Sequence, residues 1–203
     1  MNKPLQDIRS ERQAIRRELR QQRMALSAAQ RRVADAAICR ALTRSRPWQQ
    51  ARRVALFLPH KGEPDLRPLM ADRPRSGKRL CLPVLKPFGE RGLWFRESRP
   101  DQPLIDNRFG IPEPGPASRR FRPRELDLIL TPLVAFDSDG NRLGMGAGFY
   151  DRTFAFLQRH PSWRRPLLLG VAYGFQEHPA LPAARWDVPL HGVLTEDGLR
   201  RIR

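Results

Sequence analysis

The segment Asp137-Ser138-Asp139-Gly140-Asn141-Arg142-Leu143-Gly144-Met145-Gly146-Ala147-Gly148-Phe149-Tyr150-Asp151-Arg152 gathers residue types that can do chemistry. Glycines alternate at 144, 146 and 148, directly before a stretch with helical spacing. Glycine tolerates positive φ and lets a ligand reach backbone amides with no side chain in the way. The unpaired amides at a helix N-terminus add partial positive charge. Together these predict an anion cradle, with phosphate the obvious anion. Arg142 enters the loop with a guanidinium fork that suits phosphate oxygens. Asp151 falls in the first helical turn, where a carboxylate has two readings. It stabilises the helix end, or it holds a magnesium ion that carries the phosphates. A tight turn is the competing reading for the glycines themselves. No Gly-Lys-Ser/Thr follows, so this is not a Walker loop. Phe149 fills the place where a dinucleotide fingerprint needs glycine.

Strands and helices must position that loop. Helical spacing of Leu5, Ile8, Ile15 and Leu19 predicts a helix over 4–25. Ser27 and Gln30 predict a capping box. A second helix to about Thr43 follows, with Val33, Ala37, Ile38, Ala41 and Leu42 expected inward. The run Val54 to Leu58, ended by Pro59, reads as a buried strand. A short helix from Asp65 to Ala71, with Asp65 as N-cap, comes next. Strands are expected at 80–85, 92–96, 126–131, 167–172 and, as the last, 192–195. A helix is expected from about Phe149 to Arg159. The Pro- and Arg-rich stretch 98–124 reads as a long functional loop inside the domain. Apolar strands alternating with helices predict a mainly parallel sheet covered by helices.

The chain of 203 residues suits one domain over 1–203, with 1–45 as an N-terminal helical hairpin belonging to it. No run approaches the roughly 18 apolar residues of a membrane span. The arginines from Arg9 to Arg23 precede no apolar stretch, so no secretory signal is expected. Cys39 and Cys81, the only two cysteines, suit a reducing cytoplasm and cannot supply a four-ligand zinc site. The net charge of +17 would attract nucleic acid, nucleotides or polyanionic small molecules. Only Lys3, Lys61, Lys78 and Lys86 among the 38 basic residues are lysine, an arginine bias that a GC-rich genome produces whatever the function. Nucleic acid therefore stands as a secondary partner.

The run Asn141-Arg142-Leu143-Gly144-x-Gly146-x-Gly148-Phe149-Tyr150-Asp151 closely resembles the signature of the 5-formyltetrahydrofolate cyclo-ligase family. Other segments fit in order. Arg12-x-x-Ile15-Arg16 resembles the family's N-terminal Lys-x-x-Leu-Arg. Leu58 through Glu63 resembles its folate-site strand end. Gly110-Ile111-Pro112-Glu113-Pro114 resembles its Ile-Pro-x-Pro loop. Thr131 to Asp137 and Trp186-Asp187-Val188-Pro189-Leu190 complete a match over nearly the whole chain.

The resemblance implies a three-layer α/β/α fold like those of sugar-phosphate isomerases and CoA transferases. It implies ATP-dependent conversion of 5-formyltetrahydrofolate to 5,10-methenyltetrahydrofolate through a phosphorylated formyl oxygen and attack by N10. By position, Arg12 and Arg16 would bind ATP phosphates, and Arg142, Leu143, Gly144, Met145, Gly146, Ala147, Gly148, Phe149 and Tyr150 would wrap ATP. Arg142 and Tyr150 are the candidate catalytic residues. Leu58, Glu63 and the stretch Met145, Gly146, Ala147, Gly148 and Phe149 would hold the folate, including polyglutamylated forms. Asp151 would hold Mg2+. Three positions depart from the family pattern. Arg12 replaces the usual Lys, Phe149 the commoner Tyr, and His191 stands where many members have a second metal-binding Asp. A basic RNA-binding protein is the alternative of a different class, and an ATP-independent isomerase or CoA transferase on the same frame is a third.

Overall fold

The stripe that begins the chain is amphipathic in an unusual way. The first helix, α1 (Leu5–Ala25), buries Ile15 and Leu19 as their spacing predicts, and one turn further on it buries Arg23 completely. Ser27 then caps α2 (Ala28–Arg44) with the expected reciprocal pair: the Gln30 amide donates to Ser27 Oγ, and the Ser27 amide to Gln30 Oε1. Ile38, Cys39 and Leu42 are the buried face of α2. Val33, expected inward, is 72% exposed; the inner stripe runs through Ala34, Ile38 and Leu42, and Val33 sits about 100° off it. A short helix, α3 (Arg46–Gln50), closes the segment. This computed structural model describes residues 5–71, 77–87, 90, 92–100, 102–160, 163 and 165–202.

The strands of the main sheet are β1 (Arg53–Ala55), β2 (Arg79–Leu85), β3 (Leu93–Glu97), β6 (Arg120–Phe121), β7 (Leu128–Pro132), β10 (Leu167–Val171), β11 (Gly192–Thr195) and β12 (Gly198–Arg201). Their order across the sheet is β12-β11-β10-β7-β1-β2-β3-β6. The five central strands from β11 to β2 are mutually parallel, while β12 and β3 run antiparallel to their neighbours. The helix α4 (Arg67–Ala71) lies between β1 and β2, and α5 (Phe149–Arg159) precedes β10.

Alternation along the strands divides the core in two. Val54, Leu56, Leu80, Leu82, Leu128 and Leu130 pack with Ile38, Leu42, Trp48 and Leu69 from the helices α2 to α4. Ala55, Cys81, Ile129 and Leu168 face the other way and pack with Phe154 of α5. Helices thus cover both faces, and the expected three-layer α/β arrangement with a mainly parallel sheet is observed. No helix among the described residues is long and apolar enough to cross a membrane.

Three expectations change. The first strand ends at Ala55 rather than Leu58, although the Leu56 amide still bonds the Cys81 carbonyl. The stretch 98–124 is not a plain loop. It forms the antiparallel pair β4 (Leu104–Asp106) and β5 (Pro112–Pro114) and supplies the edge strand β6. Proline within β5 obscured it, because proline is confined to edges and short pairs. Beyond β11, the hairpin to β12 adds a last strand whose Arg200 and Arg201 are exposed, a charged edge with no apolar alternation to betray it.

Candidate active site

A second small antiparallel pair, β8 (Ala135–Phe136) and β9 (Arg142–Leu143), carries the glycine loop into place. The turn between them is fixed by Asp137, which is 2% exposed. Its carboxylate accepts from the amides of Asp139, Asn141 and Leu181 and from the Asn141 side chain. That saturates its lone pairs, so Asp137 is a structural tie.

Arg142 does not project into the loop. It is buried, donating from Nη2 to Asp151 Oδ1 at 2.7 Å and from Nη1 to the Val188 carbonyl. The same Asp151 oxygen accepts from the Val188 amide at 3.2 Å. Asp151 therefore ties β9 and the 184–190 segment to the first turn of α5, a role beyond either reading that its spacing offered. Its Oδ2 takes no hydrogen bond among the described residues.

The loop itself is open. An added side chain on Gly144 would meet nothing within 4 Å, and Met145, Gly146 and Ala147 are exposed. Gly146 and Gly148 have φ of +109° and +63°. Gly148 is the N-cap of α5 and brings no capping side chain, so the helix presents its first-turn amides directly. Arg152 donates to the Ala147 carbonyl and closes the loop from behind. A Cβ on Gly148 would lie 2.9 Å from Arg152 Nη1. Gly148→Ala is expected to destabilise the protein by about 1–2 kcal/mol through left-handed strain, and to raise the KM for nucleotide more than that for the second substrate. Thermal unfolding and paired KM measurements check both.

Two arginines of α1 face this loop. Arg16 Nε donates to the Gly144 carbonyl at 2.8 Å, and its guanidinium carbon lies 3.9 Å from a Cβ placed on Gly146. Arg12 Nη2 pairs with Asp187 Oδ2 at 2.8 Å, while Arg12 Nε is buried with no hydrogen-bond partner among the described residues. Burial first, and then Arg12, lower the pKa of Arg16, while Asp187 opposes them. A phosphate would relieve all of this: it supplies acceptors for Arg12 Nε and counter-charge for both guanidiniums. Asp187 also accepts from the Ala184 amide, so it caps its own turn while restraining Arg12.

Glu63 sits beneath, 7% exposed, at the end of the segment after β1. Its Oε2 accepts from the His60 amide at 3.2 Å, and its Oε1 is 4.0 Å from Arg23 Nη1. Burial raises its pKa from 4.5 to about 7, although Arg23 and the His60 amide oppose the rise. Tyr150 interacts electrostatically with both Glu63 and Arg142, and its phenol is pushed above the ordinary range by burial and then by Glu63. Leu58 packs partly buried against the core beside this turn. Glu63 and Arg142 thus both act electrostatically on the Tyr150 phenol, which stands in the first turn of α5 directly after the glycine loop.

Sequence reasoning missed two contributors. Phe109, in the turn between β4 and β5, packs edge-on against Phe149 at 6.1 Å between ring centres. The Phe109–Phe149 pair, with Phe109 51% exposed, offers an apolar surface at the C-terminal end of the loop, suited to a flat ring. Asn107 shapes this turn by accepting from the amides of Phe109 and Ile111. Glu113 anchors it to β2 through the Leu85 amide. The second is Arg23, one turn beyond Leu19 on a stripe that already named the inward face. His191 offers no metal site, because its Nδ1 accepts from the Leu168 amide. No group of three or more His, Cys, Asp or Glu among the described residues could hold a metal. A separate cavity of about 300 Å³ is lined by Phe136, Gly174, Glu177, Thr195, Asp197 and Arg200, and contains none of the predicted site residues.

The family model described as the 5-formyltetrahydrofolate cyclo-ligase family matches residues 8–196. A relative from Haemophilus influenzae, named 5-formyltetrahydrofolate cyclo-ligase, is 39% identical over 186 residues, covering 90% of this chain and 96% of its own. The Escherichia coli K12 protein of that name is 42% identical over 179 residues, with 87% and 96% covered. Among solved structures, the Aquifex aeolicus 5,10-methenyltetrahydrofolate synthetase superimposes with a TM-score of 0.79 at 34% identity, covering 95% of this chain and 93% of that one.

Proposed function

The chain belongs to the 5-formyltetrahydrofolate cyclo-ligase family, and from that membership we infer that it converts 5-formyltetrahydrofolate to 5,10-methenyltetrahydrofolate, driven by cleavage of ATP. The observation that carries this reading is a buried carboxylate, Glu63, together with an open glycine loop that Arg16 meets. A folate needs the first and a triphosphate the second.

The chemistry explains the need for both. An amide-like formyl oxygen is a poor leaving group. Phosphoryl transfer from ATP to that oxygen makes the carbon electrophilic; N10 attacks it and gives up its proton, the C–O bond breaks, and phosphate departs with both electrons. The protein's part is to align the ligands and screen the transferring charge. Arg16 and Arg12 supply donors and positive charge to the phosphates, the latter through its buried Nε. The amides of Gly146 to Phe149 approach the same oxygens. Tyr150, its phenol kept protonated, would donate a hydrogen bond to a bound ligand from the first turn of α5. Phe109, Phe149 and Met145 shield the pterin face. The buried Arg142 acts by fixing β9 and α5 rather than by touching phosphate.

Asp151 fits a magnesium ion that arrives with ATP. Magnesium keeps several waters and phosphate oxygens and needs only one or two carboxylates, and Asp151 Oδ2 is one such donor. When bound, the ion screens phosphate charge.

Glu63 would accept the pterin's N–H groups through both oxygens, which only its ionised form can do. Its raised pKa means that ionisation destabilises the ligand-free protein: the stability contributed by the protonated carboxyl is complete below about pH 4.5 and is lost as pH rises through about 7. Folate binding draws on the ionised form, so the KM for 5-formyltetrahydrofolate is expected to fall as pH rises from 6 to 8, with its inflection near 7. Glu63→Gln should raise that KM and flatten the profile. A wild-type profile in this variant would remove Glu63 from the substrate site. As a test of the function, phosphate release should require 5-formyltetrahydrofolate and match methenyl formation one for one. Phosphate release without folate, or methenyl formation without phosphate, would contradict it.

A further inference from the structure

Helix α1 ends against the turn that presents Glu63, and the contact is built from a charged residue where an apolar one would pack. Arg23 is 0% exposed. Its Nε donates to the Lys61 carbonyl and its Nη1 to the Leu133 carbonyl, both at 3.1 Å. Its own carbonyl lies 3.4 Å from a Cβ placed on Gly62. Lys61 and Gly62 are successive residues at positive φ, +51° and +77°, and the Glu63 amide closes the turn on the His60 carbonyl. A non-glycine residue at positive φ is held there by its surroundings, and here the surroundings are Arg23. Leu133, the other anchor, is tied in turn by Gln176, whose Nε2 donates to the carbonyls of Leu133 and Val134. Arg23 thus pins the Glu63 turn to the segment that leads into β8.

We propose that Arg23 is a positioning residue for the folate-binding step, holding the Lys61–Gly62 turn and with it the Glu63 carboxylate toward substrate. This rests on the substrate-site reading of Glu63. A structural role alone does not account for the choice of residue. Arg23 Nη2 is buried without a hydrogen-bond partner among the described residues, and a buried guanidinium so incompletely satisfied is a poor way to fill a core. Its charge matters because the groups facing Glu63 are few. Arg23 faces it from α1, Tyr150 from α5, and the His60 amide from its own turn. Arg23 is the only cation among these three.

The test measures KM for 5-formyltetrahydrofolate and for ATP, and kcat, from pH 6 to 9 in the wild type, Glu63→Gln, Arg23→Gln and Arg23→Lys. In Arg23→Gln the folate KM at pH 7 should rise about five- to tenfold while the ATP KM stays within about twofold. Its inflection should move alkaline by about one pH unit. Arg23→Lys restores the charge but not the fork, so its inflection should match wild type while its folate KM stays elevated. If Arg23→Gln does not fold, Arg23→Lys alone decides: a folate KM at the wild-type value, or folate and ATP KM rising equally, overturns the proposal. A folded Arg23→Gln with wild-type folate KM and inflection overturns it too. If Glu63→Gln leaves the folate KM unchanged, the substrate-site reading itself fails. If Glu63→Gln raises it and the Arg23 variants do not, only the positioning role fails.

Discussion

Arg142→Ala is expected to lower folding stability by about 3 kcal/mol and to abolish measurable turnover. The Arg142 side chain is 3% exposed and that of Asp151 25%, so deleting the guanidinium strands a largely buried carboxylate. It also strands the Val188 carbonyl. The estimate sits at the low end for a broken buried pair because water reaches Asp151. Turnover should fall for a geometric reason: β9 and the first turn of α5 lose their common tie, and the glycine loop spans the gap between them. Urea unfolding measures the first effect. Single-turnover kinetics at saturating ATP measure the second. If Arg142 contacted phosphate directly instead, high ATP would restore the rate in a protein of near wild-type stability.

The second large effect separates the two jobs of Asp151. Asp151→Asn keeps an oxygen for Arg142 and for the Val188 amide, but it gives up the charge that a magnesium ion needs. It should fold to within about 1 kcal/mol of wild type and lose at least about a hundredfold in kcat, the order expected when one electrostatic contact to a developing charge is removed. Asp151→Ala removes both functions and should be as unstable as Arg142→Ala. In a double-mutant cycle the Arg142→Ala, Asp151→Ala pair should cost much less than the sum of the singles, since each single leaves its partner unpaired. An Asp151→Asn protein with near wild-type turnover would confine Asp151 to its structural tie.

The sequence made some of this site visible and hid the rest for physical reasons. The alternating glycines, the following helix and Asp151 form one local segment, so their meaning survives without knowledge of the fold. The helix α5 lies where its pattern places it, and the parallel strands announced themselves as apolar runs. Arg12 and Arg16 lie some 130 residues from the loop, and only the resemblance to a family brought them to it. Arg142 looked like an exposed phosphate fork because arginine at the mouth of a glycine loop usually is one; its burial depends on Val188, which is remote in sequence. Phe109 lay in a stretch whose prolines read as loop, although the β4–β5 pair gives that stretch a fixed shape. Arg23 is the instructive case. Its position on the stripe of Ile15 and Leu19 pointed inward, but arginine is almost never fully buried without partners. The partners, Lys61 and Leu133, come from two other segments. Periodicity identified the face correctly, and residue type argued against it.

The most direct test of the whole account is the near-ultraviolet absorbance of the methenyl product. The purified protein is mixed with 5-formyltetrahydrofolate, ATP and magnesium, and each addition is omitted in turn. Absorbance should rise only when all three are present. No rise from folded protein, or a rise without ATP, would contradict the account.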